Sequence, residues 1–224
     1  MKTFLIFLSP LIFSAVEILS AQPITELKFP YRHGYTLNLK GTSTTFQSDG
    51  NKQTDSTFTL YFINEEKTIK GNTWVNFKCA SIMTETNYFE SYLSVNSDGM
   101  QYESAAPENR KKKYIVDAIN LPLTDGKTWS TKLQGWKAEC TCLSTHTFIS
   151  TPKGDVEAFC VQTIALIEKL KGYDYKMKVL EFYNQEIGKV AYSSFFYYEK
   201  PSGEIYNLME MHEVAYDYGF KETK

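Results

Sequence analysis

From Gln22 onward the chain alternates apolar and polar positions with a period of two, in runs of about 9 to 15 residues. That period is the spacing of β-strands. The pattern is clearest in the C-terminal half. Ala158, Cys160, Gln162, Ile164 and Leu166 alternate with Phe159, Val161, Thr163, Ala165 and Ile167. Met177, Val179, Glu181 and Tyr183 alternate with Lys178, Leu180 and Phe182, and Ile205 to His212 follow the same rule. Several of these runs are apolar on both faces. A sheet with one wet face shows polar residues at every second position instead. The pattern therefore predicts a second sheet, a covering helix, or a sheet curved around an apolar interior.

Turn chemistry separates the runs. Ser48-Asp49-Gly50-Asn51, Lys70-Gly71-Asn72, Asn96-Ser97-Asp98-Gly99, Thr124-Asp125-Gly126-Lys127, Thr151-Pro152-Lys153-Gly154-Asp155, Lys171-Gly172, Ile187-Gly188 and Pro201-Ser202-Gly203 all carry residues that accept positive φ or preset a turn. No segment has a sustained helical period, and Tyr114 to Asn120 reads as either a strand or one helical turn. No linker or internal repeat divides the chain. The expected fold is all-β: residues 22–224 form a single domain of long antiparallel strands, making a strongly curved sheet or half-barrel.

Residues 1–21 break the pattern. Lys2 is basic, Phe4 to Ile18 is apolar apart from Ser9, Pro10, Ser14 and Glu17, and Ser20-Ala21 offers small residues for cleavage. Such a run is too short to span a bilayer and reads as a secretory signal peptide. No Cys stands at or just after Ala21; the first is Cys79. Acylation at the new N-terminus is therefore not expected. The reading is a secreted or periplasmic product, soluble after cleavage and not a lipoprotein, with no transmembrane span in the mature chain.

The net charge of −2 gives no electrostatic footprint for nucleic acid. The one basic run, Arg110-Lys111-Lys112-Lys113, reads as a solvated loop.

Export permits disulfides among Cys79, Cys140, Cys142 and Cys160. A three-residue loop at Pro152-Lys153-Gly154 would pair Thr151 with Asp155. It would set Cys160 opposite His146, and Cys142 opposite Ile164. Cys142 and Cys160 would then be too far apart to bridge. That leaves Cys79 as the expected partner of one of the other three. Cys140, Cys142, His146 and Cys160 are spread too widely along a strand for a tetrahedral zinc site. His33 and His212 have no nucleophile motif beside them. Glu181 and Glu210 fall on strands that look adjacent, and carboxylates about 5 to 10 Å apart are what glycoside hydrolysis needs; spacing alone does not bring them together. Trp74, Trp129 and Trp136, with 16 tyrosines, could furnish a stacking platform or simply fill strands. No catalytic residue, metal or cofactor is expected.

Three segments resemble secreted bacterial β proteins of the TapB-like type. Leu121-Pro122-Leu123-Thr124-Asp125-Gly126-Lys127-Thr128-Trp129 is similar to their "LPL…G…W" segment. Thr151 to Val161 resembles their "TPAG-F-CV" hairpin, with Lys153 in place of Ala. Phe182 to Val190 resembles their "YAPGVGLV" element, with Asn184-Gln185-Glu186 in place of Ala-Pro-Gly. The resemblance covers about residues 114–215 and implies a curved antiparallel sheet like the half-barrels of LolA- and LolB-type carriers, which hold acyl chains on a concave apolar face. It brings no catalytic residues.

The functional expectation is a non-catalytic binding protein. A hydrophobic or lipid-like ligand would rest on the concave face, lined by Phe159, Val161, Leu180, Phe182, Phe196 and Leu208. The alternative is an envelope or surface module that binds glycan or protein through exposed aromatics.

Overall fold

The computed structural model describes residues 22–69, 72–81, 88–105, 113–170 and 172–220, without the side chains of 69, 79–81, 88–90 and 104–105. The expected signal peptide and Arg110 to Lys112 lie outside these residues. Among the described residues every regular element is a strand: β1 (Tyr35–Phe46), β2 (Lys52–Ile69), β3 (Asn72–Ser81), β4 (Tyr88–Asn96), β5 (Gly99–Ala105), β6 (Lys113–Asn120), β7 (Thr128–Leu133), β8 (Trp136–Thr151), β9 (Gly154–Leu170), β10 (Tyr173–Asn184), β11 (Gly188–Glu199) and β12 (Ile205–Phe220). Tyr114 to Asn120 is strand, within β6. The twelve strands form one antiparallel sheet in the order β6-β5-β4-β3-β2-β1-β12-β11-β10-β9-β8-β7. It is an up-and-down meander whose ends join through the β1–β12 pair.

The sheet curves until its two edges, β6 and β7, meet, so that it is nearly a closed barrel. The edges are stitched by side chains. Trp129 Nε1 donates to the Asp117 carbonyl at 2.9 Å, and the Asp117 amide donates to Thr131 Oγ1 at 3.0 Å. Gln101 Nε2 holds the Asp117 carboxylate at 2.6 Å. At one end of this seam Lys127 Nζ donates to the carbonyls of Asn120 and Pro122 and to Asn120 Oδ1.

Closure accounts for the apolar alternation. Phe159, Val161, Thr163 and Ala165 of β9 face the interior, as do Val179 and Tyr183 of β10; all are under 9% exposed. Cys140 and Cys142 of the neighbouring β8 join the same cluster, and Leu27, Met100, Ala118, Ile119 and Leu123 complete it. The opposite face of β10 carries Lys176, Lys178, Leu180 and Phe182, all half-buried.

One end of the barrel is plugged by the segment before β1. Ile24 exchanges two main-chain bonds with Leu123, at 3.0 and 2.8 Å. The ring of Phe29 stacks on Tyr183 and Phe159, with centroids 5.5 and 6.2 Å away. The hydroxyl of Tyr31 accepts from the Lys189 amide at 2.8 Å. Gly188 lies beneath that ring, where any Cβ would overlap it, and its φ of 80° also excludes most side chains.

Two turns differ from the expected ones. Thr151 pairs with Gly154, so the β8–β9 loop is Pro152-Lys153, two residues rather than three. A further hairpin at Gln134-Gly135, with φ of 48° and 97°, joins the short strand β7 to β8. Positive φ at both positions is the type I′ geometry that suits right-twisted strands.

Candidate functional site

The interior is built in circumferential ranks, each set by the strand register. On the side away from the plug, one rank runs Ala138, Ala165, Met177, Phe196 and Met209, contributed by β8 through β12. Two residues further along each strand come Cys140, Thr163, Val179, Ser194, Met211 and Ser43. Two residues deeper again, the rank reads Cys142, Val161, Glu181, Tyr192, Glu213, Gly41 and Thr57. The lining is thus apolar toward the mouth and charged in the middle, with the aromatic plug beyond.

The charged rank holds an ion pair. Lys189 Nζ lies 2.5 Å from Glu181 Oε1, with side chains 17% and 13% exposed. The ammonium also faces the rings of Tyr192, Tyr61 and Tyr183 at 5.5, 5.6 and 5.9 Å. Burial alone would lower its pKa; the Glu181 carboxylate, with Tyr61 and Tyr183, outweighs burial and holds the ammonium well above its ordinary value. Burial pushes Tyr31 up to about 12 and raises Tyr102, Tyr183 and Tyr192, so all stay neutral near pH 7. The pair and the phenols around it hold one another in place in this part of the interior.

Glu213 lies across Tyr192 from Glu181. It is 3% exposed, and Thr59 Oγ1 donates to its carboxylate, 3.0 Å from each oxygen. Glu210, three residues earlier, falls on the other face, opposite Phe195 and Thr44. Strand β11 separates Glu181 from β12, so Glu181 and Glu210 are not on adjacent strands, contrary to their appearance in the sequence.

The expected lining residues divide between the two faces. Phe159 and Val161 lie inside and are covered by the plug and the far wall. Phe196 lies inside and is half-buried near the mouth. Leu180 and Phe182 lie on the opposite face of β10 from Glu181, and Leu208 is the extra residue of a bulge between Asn207 and Met209. The sequence reading missed Glu213, Met177, Met209 and Lys189. The signal was available, since Met209, Met211 and Glu213 share a parity on one strand.

The cysteines depart from expectation. Cys140, Cys142 and Cys160 are free thiols. Because the β8–β9 loop has two residues and β8 carries bulges after Cys142 and Ser144, Cys142 stands opposite Val161 and Cys160 opposite Ser144. Cys142 therefore points inward beside Val161, while Cys160 points to the other face. Burial raises Cys142 to about 11, and Cys140 and Cys160 to about 12. Such thiols are inert. The backbone of Cys79 lies on β3; its side chain is outside the described set. No group of His, Cys, Asp and Glu that could hold a metal occurs among the described residues.

The histidines are structural or superficial. His33 bonds through Nδ1 to the Asn64 carbonyl, and His212 Nδ1 to Ser193 Oγ at 2.9 Å. His146 pairs with Glu157 at 2.9 Å beside a groove of about 620 Å³ at the plugged end. Phe159 and Tyr183, 2% and 1% exposed, line that groove together with Ile24, Thr145, Asn184 and Gln185. Trp74 is 8% exposed and Trp129 is committed to the seam, which leaves Trp136 alone of the three for a platform.

No protein-family model and no curated protein matches this sequence. Two solved structures are similar in shape. One, from Parabacteroides distasonis, is described as a candidate lipoprotein; it shares 12% identity over 87% of this chain and 99% of its own, with a TM-score of 0.46. The other, from Bacteroides fragilis, is described as a candidate exported protein with a YmcC-like fold; it shares 15% identity over the same fractions, with a TM-score of 0.47.

Proposed function

We propose that this chain is an exported, non-catalytic carrier that holds an apolar or amphiphilic ligand in the barrel, at the end away from the plug. One observation supports this above the rest. Met177, Phe196 and Met209 lie on the core-facing side of their strands yet remain half-buried, whereas Phe159, Val161 and Tyr183 on the same face are sealed by the chain itself. Apolar surface left on a concave face favours a ligand over solvent, and methionine adapts to irregular partners. The ligand face is thereby moved from Phe159 and Val161 to the ring around Phe196.

The protein purified from its own host should release a lipophilic compound on organic extraction, and the stripped protein should enhance the fluorescence of N-phenylnaphthylamine. Phe196→Asp should abolish that enhancement while leaving the far-ultraviolet spectrum unchanged. A stripped protein that leaves the dye unaffected would overturn the proposal.

A further inference from the structure

Among the described residues the barrel interior leaves one carboxylate without a cation. Glu181 is neutralised by Lys189. Glu213 is more deeply buried, at 3% exposure, and among the described residues no ammonium or guanidinium pairs with it. Among the described residues its one hydrogen-bond donor is Thr59 Oγ1. That hydroxyl has a single hydrogen to share between two oxygens, and a carboxylate offers about four acceptor sites. A buried carboxylate left this far short of donors is costly unless a cation joins it.

The surroundings are arranged for one. Glu213 sits opposite Gly41, which has no side chain, and so reaches across β1 to Thr59 on β2. Thr57 stands on the other side of Gly41 in the same rank. It is 4% exposed, and its Oγ1 has no hydrogen-bond partner. Ser43 and Ser194, 2% and 3% exposed, lie in the next rank toward the mouth. An ammonium carries three donors and no acceptor. A carboxylate, an unpaired hydroxyl oxygen and neighbouring hydroxyls complement it. Four residues further toward the mouth, about 13 Å at the rise of a strand, comes the ring of Met177, Phe196 and Met209.

We infer that Glu213 and Thr57 anchor the primary ammonium head of an amphiphile whose apolar tail lies against Met177, Phe196 and Met209. This rests on the carrier reading above and adds the chemical class of its ligand. Glu181 is already engaged by Lys189, so the interior accepts one cation, and an anionic head would meet Glu213 unfavourably.

The test uses the full mature chain and three probes below their micelle concentrations: dodecylammonium, dodecanol and dodecanoate, by isothermal titration calorimetry. The wild type should bind dodecylammonium about tenfold or more tighter than dodecanol, the scale of a charge-assisted hydrogen bond, and dodecanoate most weakly. Glu213→Gln should reduce dodecylammonium to the level of dodecanol and leave dodecanol unchanged. Thr57→Val, close to isosteric, should weaken dodecylammonium alone and keeps the question open to measurement should Glu213→Gln not fold. Equal wild-type affinity for dodecylammonium and dodecanol, or selectivity untouched by both substitutions, would overturn the ammonium site while leaving the carrier reading intact. Failure of all three probes to bind would remove both.

Discussion

The indole of Trp129 and the main-chain carbonyl of Asp117 are joined by a hydrogen bond of 2.9 Å across the line where the sheet meets itself. With Thr131 Oγ1 accepting from the Asp117 amide, both main-chain groups of one edge residue are satisfied by side chains of the opposing edge. A side-chain stitch tolerates a wider and less regular gap than a backbone ladder, while still masking a strand edge that would otherwise invite pairing with another chain.

Trp129→Phe keeps the ring and removes the donor. The Asp117 carbonyl would be left unsatisfied in a half-buried place, at a cost of about 1–2 kcal/mol. Urea denaturation should show this loss, and hydrogen exchange should quicken in β6 and β7 before other strands. Unchanged stability together with unchanged exchange at the seam would mean that closure rests on packing alone.

The Glu181–Lys189 pair makes a sharper demand. Lys189→Met removes the cation paired with Glu181 and should cost about 3–5 kcal/mol, the range for stranding a buried charge. Pairing it with Glu181→Leu should restore most of that loss, because two apolar side chains of similar volume need no counter-charge. A double variant no more stable than Lys189→Met would show that the pair itself, not the stranded carboxylate, holds this part of the barrel.

The strands were legible from their alternation, and so was the class of fold, because alternation depends only on neighbours in sequence. Closure was not. Apolar residues on both faces of β9 fitted a covering helix or a second sheet as well as a barrel, and the deciding contact, Trp129 to Asp117, joins residues whose spacing carries no pattern. Site residues split for the same reason. Phe159 and Phe182 look alike in sequence, yet they lie on β9 and β10 with opposite parity relative to the interior. The cysteines misled through one residue of loop length and one bulge: a two-residue turn at Pro152-Lys153 and the bulge between Ser144 and Thr147 moved Cys160 from His146 to Ser144. Bulges are written in tertiary strain and twist rather than in residue type.

Alkaline pH should destabilise the fold through groups that the interior keeps protonated. Burial raises Tyr31 from 10.0 to about 12, and Cys140 and Cys160 from 9.0 to about 12; Tyr183 and Lys189 also lie above their ordinary values. In every case the folded state holds its proton more tightly than the unfolded chain does. Their stabilising contribution is complete below the ordinary values and is lost as pH rises through the raised ones. The urea midpoint should therefore hold steady up to about pH 9 and fall between about pH 9 and 12. Tyr31→Phe should make that fall shallower. A midpoint flat across the interval would mean that these groups titrate alike in both states.

The plug gives the last test, because it links the apparently irregular segment before β1 to the ligand reading. Phe29 fills the plugged end by stacking on Tyr183 and Phe159, and Phe29→Ala would open a cavity there. Phe to Ala substitutions in cores cost about 3–5 kcal/mol, and the partial exposure of Phe29 places it at the low end. The effect on binding should be small. Glu213 stands between the plug and the ring of Met177, Phe196 and Met209, so opening the plugged end adds no length to the space assigned to the tail. Phe29→Ala should therefore be less stable than the wild type yet keep its preference across a graded alkylammonium series. Calorimetry decides this: a shift toward longer chains would put the tail at the plugged end, against Phe159 and Val161, and not at the mouth.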